Sequence, residues 1–450
     1  MLVSLACFLG ASLVTGAYCH GKPDQHAQPN LRPIIVTLPV HVKSVKNGHL
    51  FNVKDETEGV NFNIVHVYGS PYEMGYAQGE LVGPQITKFL GEAFKYVEEQ
   101  ALENLNSTLP WLPPAVAKAI AEKGIDVVLD LEIEATQKFT PDYFNEELHG
   151  IADASGCDFK MLQRLHLFGE LTKADCSMFG AWGDAVSPGT SLLQLRALDW
   201  ITDGPFQTYP QVTVYHPPTG SGHAFANVGF NGFIGSFSGM SSVQTATSEI
   251  GVSFPDDTFG NDSRFGIPFT YLLRDLLQFD PTLQDGLDRI TNANRTCSLI
   301  LGFGDGKSTN GQLNGFRGIQ YSHDVAKFMT DVNQMPVNDT WHPRLKDTVY
   351  YGMDWLCPAY NKVLHDQLQA SYGKLTPELA ISNITAIEQS GSLFVTYYDL
   401  TPEHNTMHIS FAAPANTKGP MNAFDRAFTR LDMTAIFDLP PPSSTDPDPI

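Results

Sequence analysis

The strongest constraint on what this chain can fold into lies near its middle. It is the run Ala174-Asp175-Cys176-Ser177-Met178-Phe179 together with the apolar run SLLQLRALDW that follows it. A loop of small and turn-forming residues, 183–189, separates the two. If Cys176 opens one strand and the loop is a hairpin turn, the second strand runs back beside the first. Arg196 and Asp199 then return to the level of Cys176, and a thiol, a guanidinium and a carboxylate meet at one sheet edge. Such a trio supplies a nucleophile, an orienting cation and a group that holds a proton. A buried structural cysteine beside a strand-end ion pair accounts for the spacing equally well, because cysteine is among the most buried residue types.

Pattern divides the chain around this point. Before it, Val60–Tyr68 alternates and predicts a strand. Helical spacing follows from 71 toward 105, with a break before Pro84, and again over 115–139, 143–154 and 159–171. Gly75 and Gly79 share one helical face, and each costs a helix about 1 kcal/mol, so close packing of another element is expected there. Gly156 is a natural left-handed cap for the third helix. After Cys176, short apolar or alternating runs predict strands over 191–198, 211–216, 223–229, 250–254, 298–303 and 393–398, with helices over 269–279 and 360–368. Elements mixed in this way point to a layered α/β protein rather than a bundle. No linker or internal repeat divides the 450 residues, and a large layered sheet fold absorbs that length as one unit. The run LGFGDGK, 301–307, lacks P-loop spacing and reads as a hairpin with Asp305-Gly306 at the bend.

The amino-terminal run MLVSLACFLGASLVTGAYC fits a secretory signal peptide over 1–19 and is too short to anchor the chain in a membrane. No later run reaches the roughly 20 apolar residues that a spanning helix needs. Sequons at Asn106, Asn261, Asn294, Asn338 and Asn383 agree with a secreted or lysosomal glycoprotein. Asn294 precedes the apolar run CSLILGFG and is expected to be buried and unused. A formal charge of −21 disfavours nucleic acid and anionic membranes as partners and suits an acidic compartment. With the leader removed, Cys157, Cys176, Cys297 and Cys357 remain, without zinc-like spacing, so neither a metal nor another cofactor is expected. Segments 20–33 and 439–450 read as unstructured. Phe225, Phe230, Phe233 and Phe237 lie close together and serve either an apolar acyl pocket or the core.

Taken together, GSPYEMGYAQGEL, EELHGIADASG, ADCSMFGAWGD with SLLQLRALDW, and GFIGSFSGMSS with GVSF resemble the family typified by isopenicillin N acyltransferase (peptidase C45). That family is related to the acid ceramidase and choloylglycine hydrolase groups, cysteine hydrolases of the N-terminal-nucleophile (Ntn) type. The resemblance spans about 60–437 and implies a four-layer αββα sandwich. It implies self-cleavage between Asp175 and Cys176 into a helical light part, 20–175, and a catalytic part, 176–438, that stay together as a heterodimer. The freed α-amine, with a pKa of roughly 8, then serves as the base, so no histidine is required. Arg196 resembles the arginine beside the nucleophile, and Asp199 the aspartate that holds the amine; Ala197 stands where an asparagine is usual. By the same resemblance the oxyanion donors fall at Ser241, through its main chain, and at Asp354, where relatives carry asparagine; an ionised Asp354 cannot donate, so either it is kept neutral or another donor such as Asn231 serves. The implied substrate is a linear N-acyl amide, such as ceramide or another N-acyl lipid, taken by hydrolysis or acyl transfer. A phospholipase B-like lipid hydrolase and a glycoprotein that has lost catalysis are the alternatives.

Overall fold

The computed structural model describes residues 22–103, 114–171, 175–200, 202–252, 255–309, 311–336, 338–353, 358–415 and 417–443. The expected signal peptide, the sequon at Asn106 and Asp354 lie outside them. Sixteen strands are described: β1 (Val40–Val45), β2 (Gly48–Asp55), β3 (Val60–Tyr68), β4 (Asp175–Trp182), β5 (Leu192–Asp199), β6 (Pro210–His216), β7 (Phe225–Phe230), β8 (Gly239–Ser241), β9 (Thr245–Gly251), β10 (Ser298–Thr309), β11 (Gln312–Ser322), β12 (Ala326–Met329), β13 (Thr348–Tyr351), β14 (Phe394–Asp399), β15 (Thr406–Phe411) and β16 (Thr429–Asp432). They form a ten-stranded sheet, ordered β1-β2-β3-β6-β7-β8-β9-β10-β11-β12, and a six-stranded sheet, ordered β13-β4-β5-β14-β15-β16. Neighbours run antiparallel except β3 and β6, which are parallel.

The helices are α1 (Pro71–Glu103), α2 (Pro114–Lys123), α3 (Ile125–Thr136), α4 (Asp142–Ser155), α5 (Phe159–Leu165), α6 (Phe168–Leu171), α7 (Phe269–Phe279), α8 (Leu283–Asn292), α9 (Pro358–Ala370), α10 (Pro377–Ala380), α11 (Ala386–Glu388) and α12 (Met433–Phe437). The sheets pack face to face through β4 and β5 against β9, β10 and β11. Helices α1, α7 and α8 cover the outer face of the large sheet, and α9 with α10 that of the small one. This is the αββα sandwich expected. The period of two in β4 distributes its side chains accordingly. Cys176 and Met178 enter the core between the sheets, whereas Phe179 and Ala181 pack outward with Leu364, Leu368 and Ile384.

The hairpin expected around Cys176 forms, with Asp175 opposite Asp199 and Met178 opposite Arg196. Helix α1 is kinked at Val82, two residues before Pro84. The glycine face meets α4 as expected: a Cβ on Gly75 would stand 1.9 Å from the Glu147 carbonyl oxygen. Three expectations are corrected. The helix over 115–139 is two, parted at Gly124, whose φ of +83° no β-carbon favours. Asp305-Gly306 is no bend but lies inside β10, where the buried Asp305 carboxylate accepts from Leu283 N at the start of α8 (3.0 Å) and from Asn314 Nδ2 (2.8 Å). The described part of 20–33 has no regular structure but is tied down: Asn30 is buried and its amide donates to the carbonyls of Phe424 and Arg426.

Candidate active site

Strand pairing decides what meets at Cys176. Residues 194, 196 and 198 of β5 face the large sheet, as Cys176 and Met178 of β4 do. Arg196 Nη1 therefore donates to Cys176 Sγ at 3.3 Å. Its Nη2 donates to Glu249 Oε2 on β9 at 2.9 Å, and its Nε to the Phe237 carbonyl at 3.4 Å. The guanidinium lies 5.4 Å from the centre of the Phe394 ring. Thiol and guanidinium are wholly buried. Burial pushes the Cys176 thiol up to about 12; the positive charge of Arg196 opposes this, the negative charges of Glu249 and Asp199 add to it, and the Asp199 backbone N–H steadies the thiolate. In the uncut chain the sulfur is thus a protonated thiol, and its activation needs a base.

The Asp199 carboxylate sits at the strand end and accepts from Ser390 Oγ (2.5 Å), Gly391 N (2.9 Å) and Ser392 N (2.8 Å). Burial raises its pKa against these donors. The backbone N–H of Cys176 donates to the Met353 carbonyl at 2.9 Å. Ser241 is not brought to this cluster. It is buried and its hydroxyl bonds Thr245 at 2.8 Å. Gly239 pairs with Thr247, which sets Ser241 four residues along β9 from Glu249, roughly 13 Å at about 3.3 Å per residue.

Beside Glu249 opens an apolar pocket lined by Leu165, Phe168, Trp200, Phe206, Phe230, Phe233 and Phe237 among others. Three of the four expected phenylalanines line it. Phe225 does not: it stacks on Tyr215 with the Arg274 guanidinium 5.3 Å away. No histidine among the described residues lines the pocket. Among the described residues no group of acids, cysteines and histidines is placed to hold a metal. Glu249 escaped the sequence reading; its only local signal is an acid inside the otherwise uncharged run TATSEIGVSF. Of the described sequons, Asn261 and Asn294 are exposed and Asn338 and Asn383 half-buried. The expectation of a buried Asn294 is corrected, because the chain turns outward at 291–294 before entering β10.

The fold and the site define an αββα protein with a buried cysteine–arginine–glutamate cluster beside an aromatic pocket. No protein-family model matches the chain. It is 33% identical over 449 residues to Protein dcd1A of Dictyostelium discoideum, covering 96% of this chain and 97% of that protein. It is 32% identical over 431 residues to Protein dcd1B of the same organism, covering 92% and 82%. The chain belongs to the family of these two proteins. Among solved structures, the Caenorhabditis elegans ortholog of N-acylethanolamine-hydrolyzing acid amidase matches 56% of this chain and 98% of its own, at 11% identity and a TM-score of 0.38. Penicillin V acylase from Agrobacterium tumefaciens matches 57% and 92%, at 13% and 0.34. Likeness at that level speaks to no activity. No described helix is long and apolar enough to cross a membrane.

Proposed function

We propose that this chain is a cysteine amidohydrolase or acyltransferase of the Ntn type, acting on linear amides with an apolar acyl group. The observation that carries the reading is the Cys176 sulfur, 3.3 Å from a buried guanidinium whose other partner, Glu249, lines an aromatic pocket. Scission between Asp175 and Cys176 gives the cysteine an α-amine of pKa roughly 8, the base that the buried thiol lacks. The sulfur attacks the acyl carbonyl while its proton passes to that amine. The proton then leaves on the departing amine of the substrate, and water or an acceptor amine releases the thioester. Arg196, whose Nη1 donates to the sulfur at 3.3 Å, turns to the forming oxyanion, and Asp199 fixes the strand end that carries the new amine. The phenylalanine pocket takes the acyl chain, which favours N-acyl lipids, ceramide included, over peptides. Passage through a secretory route to a lysosomal or extracellular site, with glycans at the exposed Asn261 and Asn294, completes the reading.

Mass spectrometry of the purified protein under denaturing conditions tests it. The expected result is two pieces parted at Cys176, whose mixture releases fatty acid from an N-acyl amide. Cys176→Ala should remain whole and inactive. An active preparation with an intact chain, or turnover by the Cys176→Ala variant, would rule the mechanism out.

A further inference from the structure

Strand β13 ends at Tyr351, opposite Met178. The next rung of this ladder is the bond from the Cys176 N–H to the Met353 carbonyl, 2.9 Å. Met353 lies in the left-handed region at φ +59°, which costs a non-glycine residue about 1 kcal/mol or more, so something must hold it. Its N–H donates to Ser177 Oγ at 3.0 Å, and Ser177 Oγ donates to Glu388 Oε1 at 2.6 Å. The Met353 amide can only give, so Ser177 Oγ accepts there and turns its own proton to Glu388 Oε1. Glu388 is fully buried, and its other oxygen has no hydrogen-bond partner. Burial drives its pKa well above the usual carboxylate range, Ser177 opposes that, and the charge of Asp199 reinforces it. The chain passes so close that a Cβ on Gly352 would stand 2.8 Å from Glu388 Oε1. A buried carboxyl is costly, and the aromatic pocket makes no use of this one.

We propose that Glu388 and Ser177 are positioning residues for the amino group of Cys176, acting through the carbonyl of Met353; this rests on the reading of Cys176 as an N-terminal nucleophile. Once the chain is cut, the same carbonyl accepts from the new amine and aims its lone pair at the sulfur. A carbonyl bonds an ammonium more strongly than an amine, so the clamp also raises the pKa of that amine.

The test uses the full chain and its Glu388→Gln, Glu388→Ala and Ser177→Ala variants. Cleavage at Cys176 is read by mass spectrometry, and kcat, KM and the pH profile with a fatty-acyl amide of 7-amino-4-methylcoumarin. Glu388→Gln, which keeps the acceptor oxygen, is expected to hold kcat within about twofold. Glu388→Ala and Ser177→Ala are expected to lose about tenfold or more in kcat at little-changed KM. Their acid limb of kcat/KM should move to lower pH, a shift that loss of packing alone does not produce. If Glu388→Ala fails to fold, Ser177→Ala, which removes a single oxygen, carries the same prediction. Variants that are cut and turn over like the parent, with its pH limb, would overturn the proposal while leaving the Ntn reading intact. So would a Glu388→Gln variant as impaired as Glu388→Ala. A parent chain that stays whole or inactive overturns the reading and the proposal together.

Discussion

The Arg196 guanidinium touches a thiol through one nitrogen and a carboxylate through another, and the two contacts separate stability from activity. Replacing Arg196 by methionine leaves Glu249 buried without its cation, a loss of about 3–5 kcal/mol. Pairing Arg196→Met with Glu249→Gln removes the stranded charge, so urea denaturation should recover most of that loss. The double variant should still show kcat/KM reduced by about 10² or more, because the donor beside the sulfur is gone. Recovery of activity along with stability would mean that Arg196 is structural. A second buried acid makes a pH prediction. Glu132 on α3 is buried, neither oxygen has a hydrogen-bond partner, and Arg264 Nε stands 3.8 Å away. Burial pushes its carboxyl up to about 7, Arg264 pulling the other way. In the unfolded chain it titrates near 4.3. Between those values the folded state keeps a proton that the unfolded state has released, so its contribution to stability falls as pH rises from about 4 through about 7. Glu132→Gln should therefore change little at pH 4 and stabilise by roughly 1–3 kcal/mol at pH 8. Equal effects at both pH values would contradict the assignment.

At the scale of elements, α1 carries opposite predictions on one helix. Gly75→Ala drives a methyl into the Glu147 carbonyl of α4, only 1.9 Å away, and should cost about 3 kcal/mol or more in denaturant unfolding. Gly91→Ala meets nothing within 4 Å and should stabilise by about 0.5–1 kcal/mol through helix propensity. The sequence announced the first of these sites because a pair of glycines at helical spacing is hard to explain without a neighbour. It likewise announced the hairpin that carries Cys176 and Arg196, since both strands and their turn are local. What it did not announce depends on distant partners. The run over 40–55 is the exception, because it forms β1 and β2 from local signals: Val40 and Val42 alternate with His41 and Lys43, and Asn47-Gly48 marks the turn of an edge strand that is largely exposed. Asp305 looks like a turn residue until α8 arrives to be capped by it. Glu249 lies 53 positions from Arg196 and Glu388 lies 211 from Ser177, so no local pattern links either acid to the cysteine. The site was legible where one hairpin builds it and silent where the second sheet and α11 complete it.

At the scale of the molecule, scission before Cys176 should part the covalent chain without parting the fold. The cut falls at the first step of β4, an inner strand of the small sheet, while the strands and helices before it serve the large sheet and Ile35 bridges to Thr429 of β16 in the small one. Strands β1 to β3 join that sheet through the parallel pairing of β3 with β6, Asn63 opposite Gln211 through Tyr68 opposite His216. Helix α1 lays Phe89 against Phe206, Tyr209 and Phe230, all from beyond the cut. The two ends cross as well: Asn30 is held by the carbonyls of Phe424 and Arg426, and Tyr68 donates to the Leu439 carbonyl at 2.9 Å. Neither piece can bury its share of this one core alone, and burial on the order of 25 cal/mol per Å2 over so wide a contact far exceeds the entropy of keeping two chains together. The cut protein should therefore elute from size exclusion at the mass of the whole and separate only on denaturing gels. Its urea transition should be single, and it should take both pieces with it. Pieces that part in native buffer, or a light part that unfolds in its own earlier transition, would show that the two halves are separate domains and that the shared core does not bind them.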